Sequence, residues 1–117
     1  MADSYRLGAV INLNVALYDG GTGVADITFD PAPGSTDHAL YYGPLSAVST
    51  YGYTGTEGPL GASGSSSVSL PGGSLFWVVV GYNGLDGCNG VDSACMERPG
   101  FGAPQDPNRS CSVPWCP

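Results

Sequence analysis

The sequence predicts an all-β fold, a small antiparallel sandwich closed by an irregular, disulfide-tied C-terminal tail. Three observations carry that expectation. Leu75 to Tyr82 is a short run dense in aromatic and β-branched side chains, set between Gly72-Gly73 and Asn83-Gly84. Leu7, Ala9, Ile11, Leu13, Val15 and Leu17 recur at a period of two, which puts them on one face of a strand and would scatter them around a helix. Gly- and Pro-rich turn signals separate the other short apolar segments, and no stretch sustains a helical period.

The elements follow in order. A first strand over 7–17 buries one face and ends at Asp19-Gly20-Gly21-Thr22-Gly23, whose glycines supply the positive φ of a hairpin turn. A second strand over 24–29 turns Ala25, Ile27 and Phe29 inward and Asp26 and Thr28 outward; Asp30-Pro31-Ala32-Pro33-Gly34 breaks it, since proline lacks a ladder donor. A third strand covers 38–42, ended by Gly43-Pro44, and a fourth covers 48–53 with Tyr51 and Tyr53 on one face. Residues 55–65 read as a polar loop, and 66–70 as a fifth strand with Val68 and Leu70 inward. The run 75–82, apolar at nearly every position, is expected to be the central strand with both faces covered. The chain reads as one domain over 1–117, with a sandwich body over about 7–84 and a Cys- and Pro-rich flap over 85–117.

Charge narrows the function classes. Ten acidic residues stand against Arg6, Arg98 and Arg109, lysine is absent, and the formal net charge is −7. Nucleic acid is therefore not an expected partner, because phosphate binding needs clustered Arg or Lys. At eight residues the 75–82 run is too short to span a bilayer, and no membrane span is expected. Cys88, Cys95, Cys111 and Cys116 fall in the last thirty residues or so, an even count in an irregular tail, which points to disulfides and an oxidising, extracellular or cell-surface setting. Met1-Ala-Asp-Ser-Tyr-Arg has neither the basic start nor the apolar core of a signal peptide, so export implies a leader already removed or another route. Four cysteines allow three connectivities; pairing 88–95 with 111–116 is favoured because short loops close at little entropic cost.

Candidate chemistry is sparse. Asp86, Asn89 and Asp92 place oxygen ligands of the type Ca²⁺ takes in a Gly-rich loop, but the spacing is not that of an EF-hand, and the alternative is a turn whose Asp and Asn side chains bond backbone donors. Zinc needs thiolates in close Cys pairs, which only 111–116 approaches. His38, the sole histidine, is expected at the surface; Asp37 and a serine could complete a triad on paper, but no Gly-x-Ser-x-Gly elbow is present. No catalytic residue and no cofactor are expected. Tyr41, Tyr42, Tyr51, Tyr53, Trp77 and Trp115 form an aromatic set, half or more of it expected in packing. Leu85, Phe101 and Trp115 are the expected interface residues. Asn108-Arg109-Ser110 matches a glycosylation acceptor.

Two resemblances rest on quoted segments. Val24-Ala25-Asp26-Ile27-Thr28-Phe29, the Pro/Gly corner, His38 to Gly43, and Phe76-Trp77-Val78-Val79-Val80-Gly81-Tyr82-Asn83-Gly84 resemble the B, C and F strands of fibronectin type III-like domains. The likeness implies a two-sheet fibronectin III/Ig-like sandwich over about 7–99, and it departs where a regular last strand would lie, at Cys88 to Cys95. More narrowly, Tyr41-Tyr42-Gly43-Pro44-Leu45-Ser46-Ala47-Val48-Ser49-Thr50-Tyr51, Ser74 to Val79 and Gly90 to Pro99 are similar to the globular subunit of split type IV pilins of Geobacter type. That resemblance implies a structural subunit with a helical pilin-like partner and a filament as product; the apolar side chains of the first strand (Leu7 to Leu17) or of the Leu85–Phe101 flap are the candidate docking face. The alternative is a secreted fibronectin III-like accessory module that binds carbohydrate or protein, with Tyr51, Tyr53 and Trp115 as its aromatic platform.

Overall fold

The computed structural model describes residues 7–16, 24–70, 74–91 and 94–111. Six strands run β1 (Ile11–Ala16), β2 (Val24–Asp30), β3 (Asp37–Pro44), β4 (Gly55–Glu57), β5 (Ser65–Ser69) and β6 (Leu75–Tyr82). They form two three-stranded antiparallel sheets, ordered β1-β2-β5 and β4-β3-β6. The expected turn at 19–23 and the end of the first strand at Leu17 lie outside the described residues, and no helix among those described is long and apolar enough to cross a membrane.

The sandwich core lies between the sheets. Ala25, Ile27 and Phe29 from β2 and Val68 from β5 meet Leu40 from β3 and Val79 from β6, with Leu60 and Leu70 closing the ends. Ile27 and Leu40 are wholly buried, each stabilising the fold by about 1.5–3 kcal/mol through removal of its apolar surface from water. The alternation read in 24–29 is the one observed, with Asp26 and Thr28 turned out.

The β4-β3-β6 sheet is covered on its other face too. Tyr41, Val78 and Val80 pack there with Ala39 and Tyr53. That second cover explains the unbroken apolar run of 75–82, because a strand buried on both faces loses its alternation. It does not make the strand central. Among the described strands β6 pairs with β3 alone, from Leu75 opposite Pro44 to Tyr82 opposite Asp37, and β3 occupies the middle. Apolarity reports burial of faces, not position in a sheet.

The regular period of the first segment is broken in space. Ile11 pairs with Asp30 and Asn14 with Thr28, so β1 carries one residue more than β2 across that interval. The extra residue is accommodated at Asn12, whose φ is 57°, a left-handed conformation that asparagine tolerates better than most residues. Its Nδ2 donates to Asp30 Oδ2 at 2.7 Å. The bulge shifts the facing by one. Ala9 and Ile11 join a small cluster with Cys88, Val91 and Cys111, whereas Val10, Leu13 and Val15 pack on the sandwich core.

The expected fourth strand over 48–53 is not formed. Leu45–Thr50 is a 3-10 helix, ended by Tyr51 at φ 50°, with Tyr51 N–H donating to Val48 O and Gly52 N–H to Ala47 O. Gly52 O lies so close to Gly43 that a Cβ there would sit 2.2 Å away, and this close approach folds the segment back on β3. The strand pairing with β3 comes later, as β4, inside the stretch read as loop.

In the flap Cys88 is bonded to Cys111, with Cα atoms 5.4 Å apart. This corrects the expected 88–95 and 111–116 pairs. Cys95 is also disulfide-bonded, and Cys116 lies outside the described residues. Loop-closure entropy favours near neighbours in an unfolded chain, but here the folded backbone decides. Ala9 bridges to Cys88 and Ser110 N–H donates to Leu7 O at 2.9 Å, so the segment before β1 brings residues 88 and 111 to the same place.

Candidate functional site

The groups that sequence chemistry singles out are engaged inside the fold. His38 is 1% exposed, not a surface residue, because β3 begins beneath the Asp30–Gly34 corner. Its Nε2 accepts from Ala32 N–H at 3.0 Å, and its Nδ1 lies 2.8 Å from Gly61 O. A donor on one nitrogen and an acceptor on the other select the neutral tautomer protonated on Nδ1. Ser35 Oγ is 3.3 Å from Nε2 but donates to Ala32 O at 2.6 Å. Asp37 Oδ1 accepts from the backbone N–H groups of His38 and Gly61 and does not reach the ring. The histidine thus pins the 30–34 corner and the 58–64 loop to the sheet.

Asp86 and Asn89, two of the three calcium candidates, face different partners. Tyr41 O–H donates to Asp86 Oδ2 at 2.5 Å, both groups being buried. Burial pushes the Asp86 carboxyl above its usual range while the Tyr41 bond works the other way; burial, with the Asp86 bond and charge, pushes the Tyr41 phenol well above its ordinary value. Asn89 Nδ2 lies 3.4 Å from Glu97 Oε2. Asp92 lies outside the described residues.

Glu97 is the hub of the flap. Its carboxylate accepts from Arg109 Nη2 at 2.7 Å and Nε at 2.9 Å, from Asn89 N–H at 3.1 Å and from Gln105 Nε2 at 3.3 Å. Burial pushes its carboxyl up, but these donors outweigh burial and hold it below its usual range. Glu97 also lies near Cys88 and Cys111, the only group of three potential metal-ligating side chains among the described residues; the two sulfurs are joined to each other and offer no thiolate.

The outer surface of the flap is different in character. Leu85 is 37%, Phe101 40% and Met96 65% exposed. Phe101 packs against Tyr41 and Tyr53 with ring centroids 5.7 Å away in each case, and Tyr53 O–H donates to Pro99 O at 2.7 Å. Burial pushes the Tyr53 phenol up to about 12, and the positive charge of Arg98 pulls against it. Arg98 Nη1 lies over Gly90, within 2.6 Å of where a Cβ would be. Among the described residues no carboxylate pairs with that guanidinium, whereas Arg109 is committed to Glu97. Trp115, the third expected interface residue, lies outside the described residues.

Among the described residues, two open clefts lie on the body. One of about 490 Å³ is lined by Leu13, Val15, Ser74, Leu75 and Trp77 at the β1/β6 side of the sandwich. The other, about 310 Å³, is lined by Asp37, Thr56, Glu57, Pro59 and Tyr82 among others. Tyr51 and Tyr53, the expected glycan platform, are tilted against each other and against Phe76 and present no flat shared face.

Sequence reasoning missed Glu97, Arg98 and Tyr41–Asp86. A signal existed for the first two: two of the three arginines fall in the tail, one of them beside one of only two glutamates. Nothing in the spacing announces the Tyr41–Asp86 bond. No family model, curated relative or solved structure matches this chain.

Proposed function

We propose that this chain is a structural subunit, the globular head of a type IV pilus-like filament, which docks on a separate helical pilin-like polypeptide. The observation that carries the reading is the division of labour in the described residues. His38, Asp86, Glu97 and Cys88 are spent on internal bonds, while Leu85, Met96 and Phe101 are left outward. Val24, Leu45, Val48 and Tyr82 are exposed on the body as well, but in the flap Phe101 continues the Tyr41–Tyr53 aromatic cluster outward, and such a rim suits a protein interface. The strand order β1-β2-β5 and β4-β3-β6 supports the resemblance to fibronectin type III-like sandwiches, and the disulfide fits an oxidising, extracellular destination. Co-expression with a helical pilin-like polypeptide, followed by affinity capture, tests the reading. A stable complex is expected; a head recovered alone from that mixture would overturn it.

A second reading draws on the Asp37–Thr56–Glu57–Tyr82 cleft, where Tyr82, 40% exposed, offers a ring beside polar groups, as in a carbohydrate-binding accessory module. A glycan array probed with the native chain and with Tyr82→Ala separates it from the first: selective binding lost in the variant favours the module.

A further inference from the structure

We propose that the docking face is the outer surface of the flap around Arg98, Met96 and Phe101, and that the partner segment it takes presents a carboxylate among apolar side chains. The inference rests on the structural-subunit reading and names the surface and the partner's chemistry.

Local geometry sorts the flap into an inner and an outer side. Glu97 bridges to Val91 in extended conformation and turns inward to Arg109. Side chains alternate along an extended segment, so Met96 and Arg98 turn to the side opposite Glu97, Met96 exposed and Arg98 half-buried. Arg98 is held in place. Its N–H donates to Gly90 O at 2.9 Å, and its guanidinium rests over the bare Cα of Gly90, near enough to Tyr53 for its charge to act on that phenol. Much of the rotamer entropy that a carboxylate would otherwise have to immobilise is already spent.

Charge identifies the partner. Among the described residues Arg109 is neutralised by Glu97, which leaves Arg98 as the one guanidinium of those residues outside a described ion pair, on a chain of net charge −7. A planar guanidinium recognises a carboxylate through paired N–H donors. The overall charge repels a strongly acidic partner and a second copy alike. What fits is an isolated carboxylate within an apolar segment, whose side chains would cover Met96 and Phe101. Arg, Met and aromatic residues are the types enriched at the cores of protein interfaces.

The test has two arms. In the first, the oxidised chain is titrated in NMR with N-acetyl-Leu-Glu-Leu-amide and with the Gln analogue, reading the Arg98 Nε–H and Phe101 ring signals. The Glu peptide is expected to bind about tenfold more tightly, and Arg98→Gln is expected to erase the preference without moving the thermal midpoint. Equal response to both peptides, no response, or shifts centred on the Leu13–Trp77 cleft would overturn the proposal. In the second arm Arg98→Gln and Phe101→Ser are carried into the complex with a helical pilin-like polypeptide, where a loss of about tenfold or more is expected. A complex indifferent to both substitutions refutes this face and leaves the filament reading standing. A peptide preference without any complex supports the face and refutes the filament reading. Self-association abolished by Arg98→Gln makes the occupant a second copy and refutes a distinct partner.

Discussion

Replacing Tyr41 by Phe removes one oxygen and tests how the flap is tied to the sheet. Tyr41 stands in the middle of β3 and its hydroxyl is bonded to the buried Asp86 carboxylate, 45 residues away. A hydrogen bond to a charged group contributes about 1.5–3 kcal/mol, and the substitution also leaves that charge without its donor. A loss of about 2 kcal/mol at pH 7 is expected, near 8 °C in thermal midpoint for a chain of 117 residues. The loss should depend on pH. The folded Asp86 carboxyl titrates above its usual range because of burial, so the folded state takes up its proton before the unfolded one. Stability bound to this group therefore rises as pH falls through the folded value toward the ordinary one near 3.9, about where the unfolded chain catches up. Once Asp86 is neutral, Tyr41→Phe removes only a neutral bond and should cost about 1 kcal/mol. Asp86→Asn should reproduce that smaller cost at pH 7, so a double-mutant cycle should return a coupling of about 1 kcal/mol. Thermal unfolding followed by circular dichroism on the four proteins, disulfides intact, measures all of this. A Tyr41→Phe cost below about 0.5 kcal/mol, or one unchanged in the Asp86→Asn background, would refute the reasoning.

Three further outcomes are expected. Glu97→Gln should destabilise the chain by about 2 kcal/mol in denaturant titration at pH 7; since the folded Glu97 carboxyl lies below its usual range, its contribution is complete above about pH 4.3 and fades below it, so the native chain and the variant should converge in acid. The paired Cys88→Ala and Cys111→Ala variant, which opens a loop of sequence separation 23, should lose about 3.5 kcal/mol in the same titration. His38→Ala leaves Ala32 N–H and Gly61 O without partners and opens a cavity, so a loss of about 3 kcal/mol is expected by calorimetry, with earlier amide exchange at Ala32.

The architecture was legible where periodicity reports burial directly. The alternation of Ala25, Ile27 and Phe29 marked β2, and the continuous apolar run marked a strand covered twice. The errors have physical causes. Tyr51 and Tyr53 looked like strand residues because aromatic side chains favour sheets, but close approach of Gly43 and Gly52 favoured a helical turn, and no local propensity encodes that contact. The even spacing from Leu7 to Leu17 concealed a bulge at Asn12, since one inserted residue exchanges the faces while the sequence pattern stays intact. Cys88–Cys111 and the Glu97 hub depend on the segment before β1 passing beside the flap, a long-range arrangement with no local signature. Of the expected interface residues, Leu85 and Phe101 are exposed; Arg98, which shares the proposed docking face with Phe101, has no sequence signature because a single arginine makes no motif.

Hydrogen–deuterium exchange on the chain, free and mixed with the helical pilin-like polypeptide, puts docking through the flap to the most direct trial. Protection gained over residues 96–101, with the β2 and β5 amides unchanged, is the expected result. An exchange pattern identical in the two samples, or protection confined to the body of the sandwich, would contradict it.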